Sequence, residues 1–239
     1  MREEGRPDAE LEVVRRAYDF STPLHSARFE VDGTPFACHG LGTASVLSAL
    51  GAPADLVAAA TMHNCYVTGD WGDGRGPGPL DSRRRRVEQA LGTGVERYIS
   101  GLFSIRADGV VERALTEPGS IDESERWLIL LELADLYEKW DGAYMPYSTE
   151  GRTDRRYVEG NEAGVVALAR AVGEPALADD LAELFIRVAK DQVPPSLTLG
   201  RRYSVVVPAP SWTTRPTVRA VSVLRAARRA LRRTARTST

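Results

Sequence analysis

The chain has 239 residues, 43% of them apolar and 27% charged, with a formal net charge of −2; this is ordinary usage for a globular protein with one sizeable core, or one core plus a small appendage. Two cysteines in a chain of this length exclude a disulfide scaffold. No apolar run reaches spanning length and no secretory leader precedes the polar start Met1-Arg-Glu-Glu-Gly, so the expected location is the cytoplasm.

In chain order, residues 9–20 carry Leu11, Val14 and Tyr18 at helical spacing. A further helical segment opens at His39, with Val46, Leu47 and Leu50 on one face and Gly51 as a stop signal. Pro53 and Asp55 suit the first turn of the next helix, whose apolar run Leu56-Val-Ala-Ala-Ala-Thr-Met62 ends on His63 and Asn64. A helix that is apolar on nearly every face lies inside the protein, so the polar pair at its end must find partners there.

A Gly-rich stretch, Gly69-Asp-Trp-Gly-Asp-Gly74, separates this run from a helix over residues 81–91 that starts at Asp81 and is ended by Gly92 and Gly94. Ser120-x-x-Glu123 reads as a capping box before a second interior helix, Trp127-Leu-Ile-Leu-Leu131 followed by Leu133, Ala134, Asp135 and Leu136. A carboxylate in such a helix has to be protonated, paired with a cation or bound to a metal. Two more helices are expected at 162–172 and 175–190. Long interior helices with Gly and Pro connections make the fold all-α.

The composition breaks after Lys190. Pro194-Pro195, Pro208 and Pro210 bracket a short β-like run, Tyr203-Ser-Val-Val-Val207, and residues 215–239 hold eight arginines and no acid. The domain reading is therefore a helical body over 1–192, a Pro-rich linker over 193–214 and a basic helix or tail over 215–239. At one hundred degrees per residue, Ala220, Val223, Leu224, Ala227, Ala230 and Leu231 share a face opposite most of the arginines. Three partners suit such a helix: the protein's own acidic body, an anionic membrane or acidic partner met peripherally, or nucleic acid; the absence of interleaved aromatics argues against the last.

The order of these residues resembles a family. His39, then His63-Asn64, then Asp135 is similar to the HD metal-dependent phosphohydrolase superfamily, named for a His-Asp doublet. Ala17-Tyr18, His25, Gly33-Thr-Pro-Phe36, His39 and Ala58-Ala-Ala-Thr-Met-His63 resemble the hydrolase domain of the guanosine tetraphosphate synthetase/hydrolases, as does Leu133-Ala-Asp-Leu-Tyr137. The likeness is closer to an uncharacterised HD-like domain family with a His-Ser-x-Tyr-Gly-Thr motif. Here that motif reads His63-Asn-Cys-Tyr-Val-Thr68, followed by Leu80-Asp-Ser-Arg83 and Val95-Glu-Arg-Tyr-Ile-Ser-Gly-Leu-Phe103. The resemblance spans roughly residues 10–145 and rests on several motifs in register. It implies an HD-like helical bundle, and one divalent metal such as manganese, iron or another transition metal. His39, His63 and Asp135 would be its ligands, with Asn64 as a weak fourth. It also implies a small phosphorylated molecule or nucleotide as substrate, with His25, Tyr66, Thr68, Arg83 and Lys139 as candidate substrate-binding residues.

Two departures bear on the chemistry. The doublet's aspartate is Asn64, a neutral ligand where hard cations favour charged oxygen. The tetraphosphate hydrolases follow the doublet with a Glu-Asp pair, and Val67-Thr68 stands there, which argues against hydrolysis of that alarmone. Asp70 and Asp73 are the candidate catalytic replacements, provided that their loop folds back over the site. Against the metal reading stands the ordinary one: a buried histidine satisfied by backbone, and an aspartate held by a cationic or hydroxyl side chain. Cys38 and Cys65 beside the histidines suggest zinc as an alternative, without the usual Cys-x-x-Cys spacing. Arg83-Arg-Arg-Arg86 is either a solvated face or the source of one phosphate clamp. Three functions follow: an HD-type phosphohydrolase, a catalytically inactive HD fold that binds a small molecule or partner, and an interaction module governed by the basic tail.

Overall fold

The computed structural model describes residues 5–26, 28, 29, 34–105, 108–141, 158 and 160–190. The expected linker at 193–214 and basic helix at 215–239 lie outside the described residues. Within them the chain is an all-α bundle: α1 (Asp8–His25), α2 (Phe36–Ala49), α3 (Ala54–Ala60), α4 (Cys65–Thr68), α5 (Asp81–Leu91), α6 (Thr93–Gly101), α7 (Val110–Thr116), α8 (Glu123–Asp141), α9 (Glu162–Ala171) and α10 (Pro175–Lys190). The β-structure among the described residues is a single antiparallel bridge between Phe29 and Pro35. No helix among them is long and apolar enough to cross a membrane.

The bundle is organised around α3. Its Leu56, Val57, Ala58, Ala59 and Ala60 are all buried, and α1, α2, α6 and α8 pack against it. Three consecutive alanines keep its C-terminal half narrow, so neighbouring backbones approach closely. Each fully buried Leu or Val here stabilises the fold by about 1.5–3 kcal/mol relative to exposure. The second interior helix, α8, buries Trp127, Ile129, Leu130, Leu131, Leu133, Ala134, Leu136 and Trp140 and packs on α2 and α10.

Local chemistry explains most of the boundaries. α2 ends in a Schellman motif: Gly51 takes a left-handed φ of 71°, its N–H reaches Ser48 O at 3.0 Å and the Ala52 N–H reaches Leu47 O at 3.0 Å. The cap of α8 is displaced from the one expected. Asp122 Oδ1 accepts from the Glu125 N–H at 2.8 Å and Glu125 Oε2 accepts from the Asp122 N–H at 3.0 Å, so the capping box is Asp122-x-x-Glu125. Ser120 belongs to a short 3-10 turn, Pro118–Ser120. α1 outruns its expected end at residue 20 and passes through Pro23. Ser21, Leu24 and His25 are buried and the Ser21 hydroxyl donates to Thr61 O at 3.2 Å, so tertiary packing overrides the local breaker.

Candidate metal centre

The break between α3 and α4 places the first ligand. α3 stops at Ala60, which leaves its last carbonyls without helical partners. The Thr61 hydroxyl donates to Ala58 O at 2.7 Å and the His63 Nδ1–H donates to Ala60 O at 2.8 Å. His63 is thus a side-chain cap in the turn that ends the apolar helix, where the sequence pattern put it. That bond commits Nδ1 and turns Nε2, the nitrogen that a cation would bind, towards Asp135 of α8.

His39 lies on the first turn of α2, and two glycines after it set how near that helix comes. A methyl group added at Gly40 would stand 2.3 Å from Thr61 O, and one at Gly42 would stand 2.5 Å from Glu138 Cγ. Gly40 therefore lets α2 press against the turn that carries His63, and Gly42 leaves room for Glu138 of α8. Glu138 accepts a hydrogen bond from the His39 Nδ1–H, which directs Nε2 of this histidine inward as well.

The two Nε2 atoms meet one oxygen. Asp135 Oδ1 lies 2.9 Å from His39 Nε2 and 2.9 Å from His63 Nε2, and the ligand atoms of the three residues all fall within 4.8 Å of one another. His39 and His63 are 2% and 1% exposed and Asp135 is 7% exposed. Ligands about 2.1 Å from a first-row cation stand about 3 Å apart when they meet at right angles, so these separations fit a shared cation. Asn64 Nδ2 sits 2.7 Å from His63 Nε2 and 3.3 Å from His39 Nε2. A half-turn of the amide would place its oxygen there as a neutral fourth ligand.

The electrostatics agree with an electron-rich centre. Burial opposes charge on His39, but the hydrogen bonds and charges of Asp135 and Glu138 outweigh it and raise this histidine to about 9. Burial likewise opposes charge on Asp135, yet the Lys139 ammonium and the two histidines hold it well below the usual carboxylate range. Lys139 Nζ donates to Asp135 Oδ2 at 2.6 Å, which leaves Oδ1 for the histidines. Among the described residues no cysteine joins this group. Cys38 is exposed, whereas Cys65 is buried and its thiol is pushed up by desolvation. The zinc alternative built on the cysteines therefore finds no support.

The cluster opens on one side into a cavity of about 210 Å³, lined by His63, Asn64, Leu102, Phe103, Glu132, Asp135, Leu136 and Lys139. Of the expected substrate-binding residues, Lys139 alone is on that wall. His25 is buried at the end of α1, near Ser21 Oγ (3.0 Å from Nδ1) and Thr68 Oγ1 (3.1 Å from Nε2), and burial together with the nearby His63 lowers it to about 4. Thr68 in turn donates to Asn64 O at 2.9 Å. The Tyr66 hydroxyl donates to Glu96 Oε1 at 3.2 Å. These residues brace the α3–α4 turn from behind.

The loop carboxylates are engaged elsewhere. Arg83, 3% exposed, holds both oxygens of Asp73 at 2.8 Å through Nε and Nη2. Asp70 is exposed; its Oδ1 accepts from the Gly72 N–H at 3.0 Å, and its own N–H donates to Leu24 O at 2.8 Å. Neither lines the cavity. The arginine run is also partly consumed within the fold: Arg84 pairs with Glu96, Arg86 lies over the Trp71 ring and Arg85 is exposed. Sequence reasoning passed over Glu138 and Glu132. Both were legible as the i+3 and i−3 neighbours of Asp135 on one helix, where such residues share a face.

No family model and no curated protein matches the chain. Among solved structures it is similar to a metazoan ortholog of SpoT that hydrolyses ppGpp and plays a role in starvation responses. The TM-score is 0.50 at 17% sequence identity, covering 76% of this chain and 97% of that one. The fold is HD-like. At this identity the likeness speaks for the helical framework alone, and within it lies a buried His-His-Asp group that could hold a metal ion.

Proposed function

We propose that the chain is an HD-type metal-dependent phosphohydrolase acting on a small phosphorylated molecule or nucleotide. The observation that carries this reading is the convergence of two imidazole Nε2 atoms on one carboxylate oxygen, each imidazole having its Nδ1–H already committed to a protein acceptor. His39, His63 and Asp135 hold the divalent ion, with Asn64 beside them; when bound, it supplies Lewis-acid polarisation of a phosphoryl oxygen. Lys139, which lines the cavity and donates to Asp135 Oδ2, presents positive charge to a phosphate. Leu102, Phe103 and Leu136 form an apolar wall that favours an ester over free phosphate. Val67-Thr68 supplies no carboxylate and Asp70 and Asp73 are bound into their loop, so Glu132, on the cavity wall, takes the role of proton acceptor. Hydrolysis of ppGpp, the substrate of the SpoT ortholog, is not expected of this chain, because Val67-Thr68 supplies no carboxylate.

A second reading, an inactive HD fold that binds a small molecule, draws on Asn64, whose amide lies against both Nε2 atoms where the superfamily has a charged ligand. The test is phosphate release by the untagged full chain with Mn²⁺ or Co²⁺, on p-nitrophenyl phosphate and a panel of nucleotides. Metal-dependent release that disappears in Asp135→Ala, and falls in Glu132→Gln without loss of bound metal, supports the enzyme. Stoichiometric metal with no release, before and after Asn64→Asp, supports the binding module.

A further inference from the structure

Taking the metal site of the preceding reading as given, the charges around it do not balance in the cation's favour. Of the four groups at its centre, His39 and His63 bind as neutral imidazoles, Asn64 is neutral, and the one carboxylate, Asp135, already shares its charge with Lys139 at 2.6 Å. A divalent cation in such a setting lacks the anionic complement that favours hard cations. Another carboxylate stands directly behind the site. Glu138 is one residue before Lys139 on α8, and it holds the His39 Nδ1–H. Its approach is made possible by a missing side chain, because a methyl at Gly42 would collide with Glu138 Cγ at 2.5 Å.

We infer that Glu138 is a positioning residue of the metal site, supplying through the His39 imidazole the negative charge that Asn64 withholds, and that Gly42 is the space that admits it. A carboxylate on the distal nitrogen of a ligating histidine fixes the ring and makes its other nitrogen a better donor. The neutral Asn64 beside the two Nε2 atoms and the seating of Glu138 are thus two halves of one arrangement: the second negative charge stands on the far side of His39 and not on a direct ligand. Lys139 fits the same scheme, since it screens Asp135 and makes the outer charge count for more.

The test uses the untagged full chain and Co²⁺ as the probe, read by its visible absorption and by competition with a chelator. Glu138→Gln, which keeps the length and an accepting oxygen but removes the charge, is expected to weaken Co²⁺ binding on the order of tenfold. Glu138→Ala is expected to weaken it towards a hundredfold. Gly42→Ala is expected to weaken binding too, and to add little on top of Glu138→Ala because both act through one carboxylate. The decisive variant is the double Asn64→Asp/Glu138→Gln. Set against Asn64→Asp alone, a loss from Glu138→Gln that is clearly smaller than the loss in the parent background shows that charge is what Glu138 supplies, because a merely structural role gives the same loss in both backgrounds. A parent that binds Co²⁺, with Glu138→Gln and Glu138→Ala within twofold of it, overturns this inference alone, as does an equal loss in the two backgrounds. A parent that binds no Co²⁺ overturns the metal reading and this inference together.

Discussion

Two aspartates, Asp135 and Asp73, are each held by a cationic side chain, and they differ in what is left over. Arg83 takes both oxygens of Asp73 in a fork of two 2.8 Å bonds, and the carboxylate serves to close the Gly-rich loop. Lys139 takes one oxygen of Asp135 and leaves the other facing two imidazole nitrogens inside the core. A bidentate guanidinium satisfies a carboxylate, whereas an ammonium can hold one in place without exhausting it. A structural ion pair therefore differs from a binding site in which lone pairs remain directed at a common point.

The sharpest way to break this comparison is to remove each carboxylate in turn. Asp135→Ala removes the carboxylate that the Lys139 ammonium and two buried imidazoles share, and its cost is expected at about 3–5 kcal/mol of unfolding free energy. Asp73→Ala is expected to cost less, because the Asp73 side chain is 26% exposed and the buried Arg83 guanidinium keeps its bonds to Gly78 O and Arg75 O. Urea denaturation of the two variants side by side measures the contrast, and equal losses would erase the distinction drawn here.

Acidification tests the brace behind the turn. His25 is held near 4 by burial and by the neighbouring His63, while the unfolded chain titrates at the ordinary histidine value. Between those two values the unfolded state binds the extra proton, so His25 contributes stability that is present above about pH 6.5 and lost as pH falls towards 4, on the order of 3 kcal/mol in all. His25→Gln should flatten the stability profile across that window, as read by denaturant midpoints at several pH values. An unchanged slope would mean that other groups set the acid limit.

Gly40→Ala probes the approach of α2. The added methyl meets backbone at Thr61 O, which cannot yield as a flexible side chain would, and the expected loss is about 1–3 kcal/mol with weaker metal binding because His39 is moved off its partners. The smallest effect expected is none: Asp70→Asn and Asp73→Asn should leave Co²⁺ affinity within twofold of the parent. A clear loss in either would bring the loop into the site.

Much of this arrangement was legible in the amino-acid sequence. Asp81–Leu91, Pro175–Lys190 and the start of the helix at Glu162 were set by Asp, Pro and Gly signals that act within a turn of the boundary. His63, Asn64 and Asp135 were marked by the rule that polar groups in apolar helices need partners, and the resemblance to the HD superfamily joined them with His39. What was not legible depended on contacts between distant segments. Pro23 could not announce that Ser21 and Leu24 would be buried against the Thr61 turn. Likewise Arg83 and Asp73 read as a candidate substrate-binding residue and a candidate catalytic carboxylate, and nothing local showed that the loop would close one upon the other. Glu138 was legible as a neighbour of Asp135 on its helix, but its contact with His39 was not, because that contact depends on Gly42, ninety-six positions earlier, where the informative feature is an absent side chain.

The most direct measurement of the central claim is the metal content of the untagged full chain, purified without chelators and then titrated with Mn²⁺ and Co²⁺. The account predicts one ion per chain, lost in His63→Ala and in Asp135→Ala and retained in Asp73→Asn. A parent chain that holds no ion at saturating metal, or variants at His63 and Asp135 that retain it, would contradict the assignment of this cluster as a metal centre.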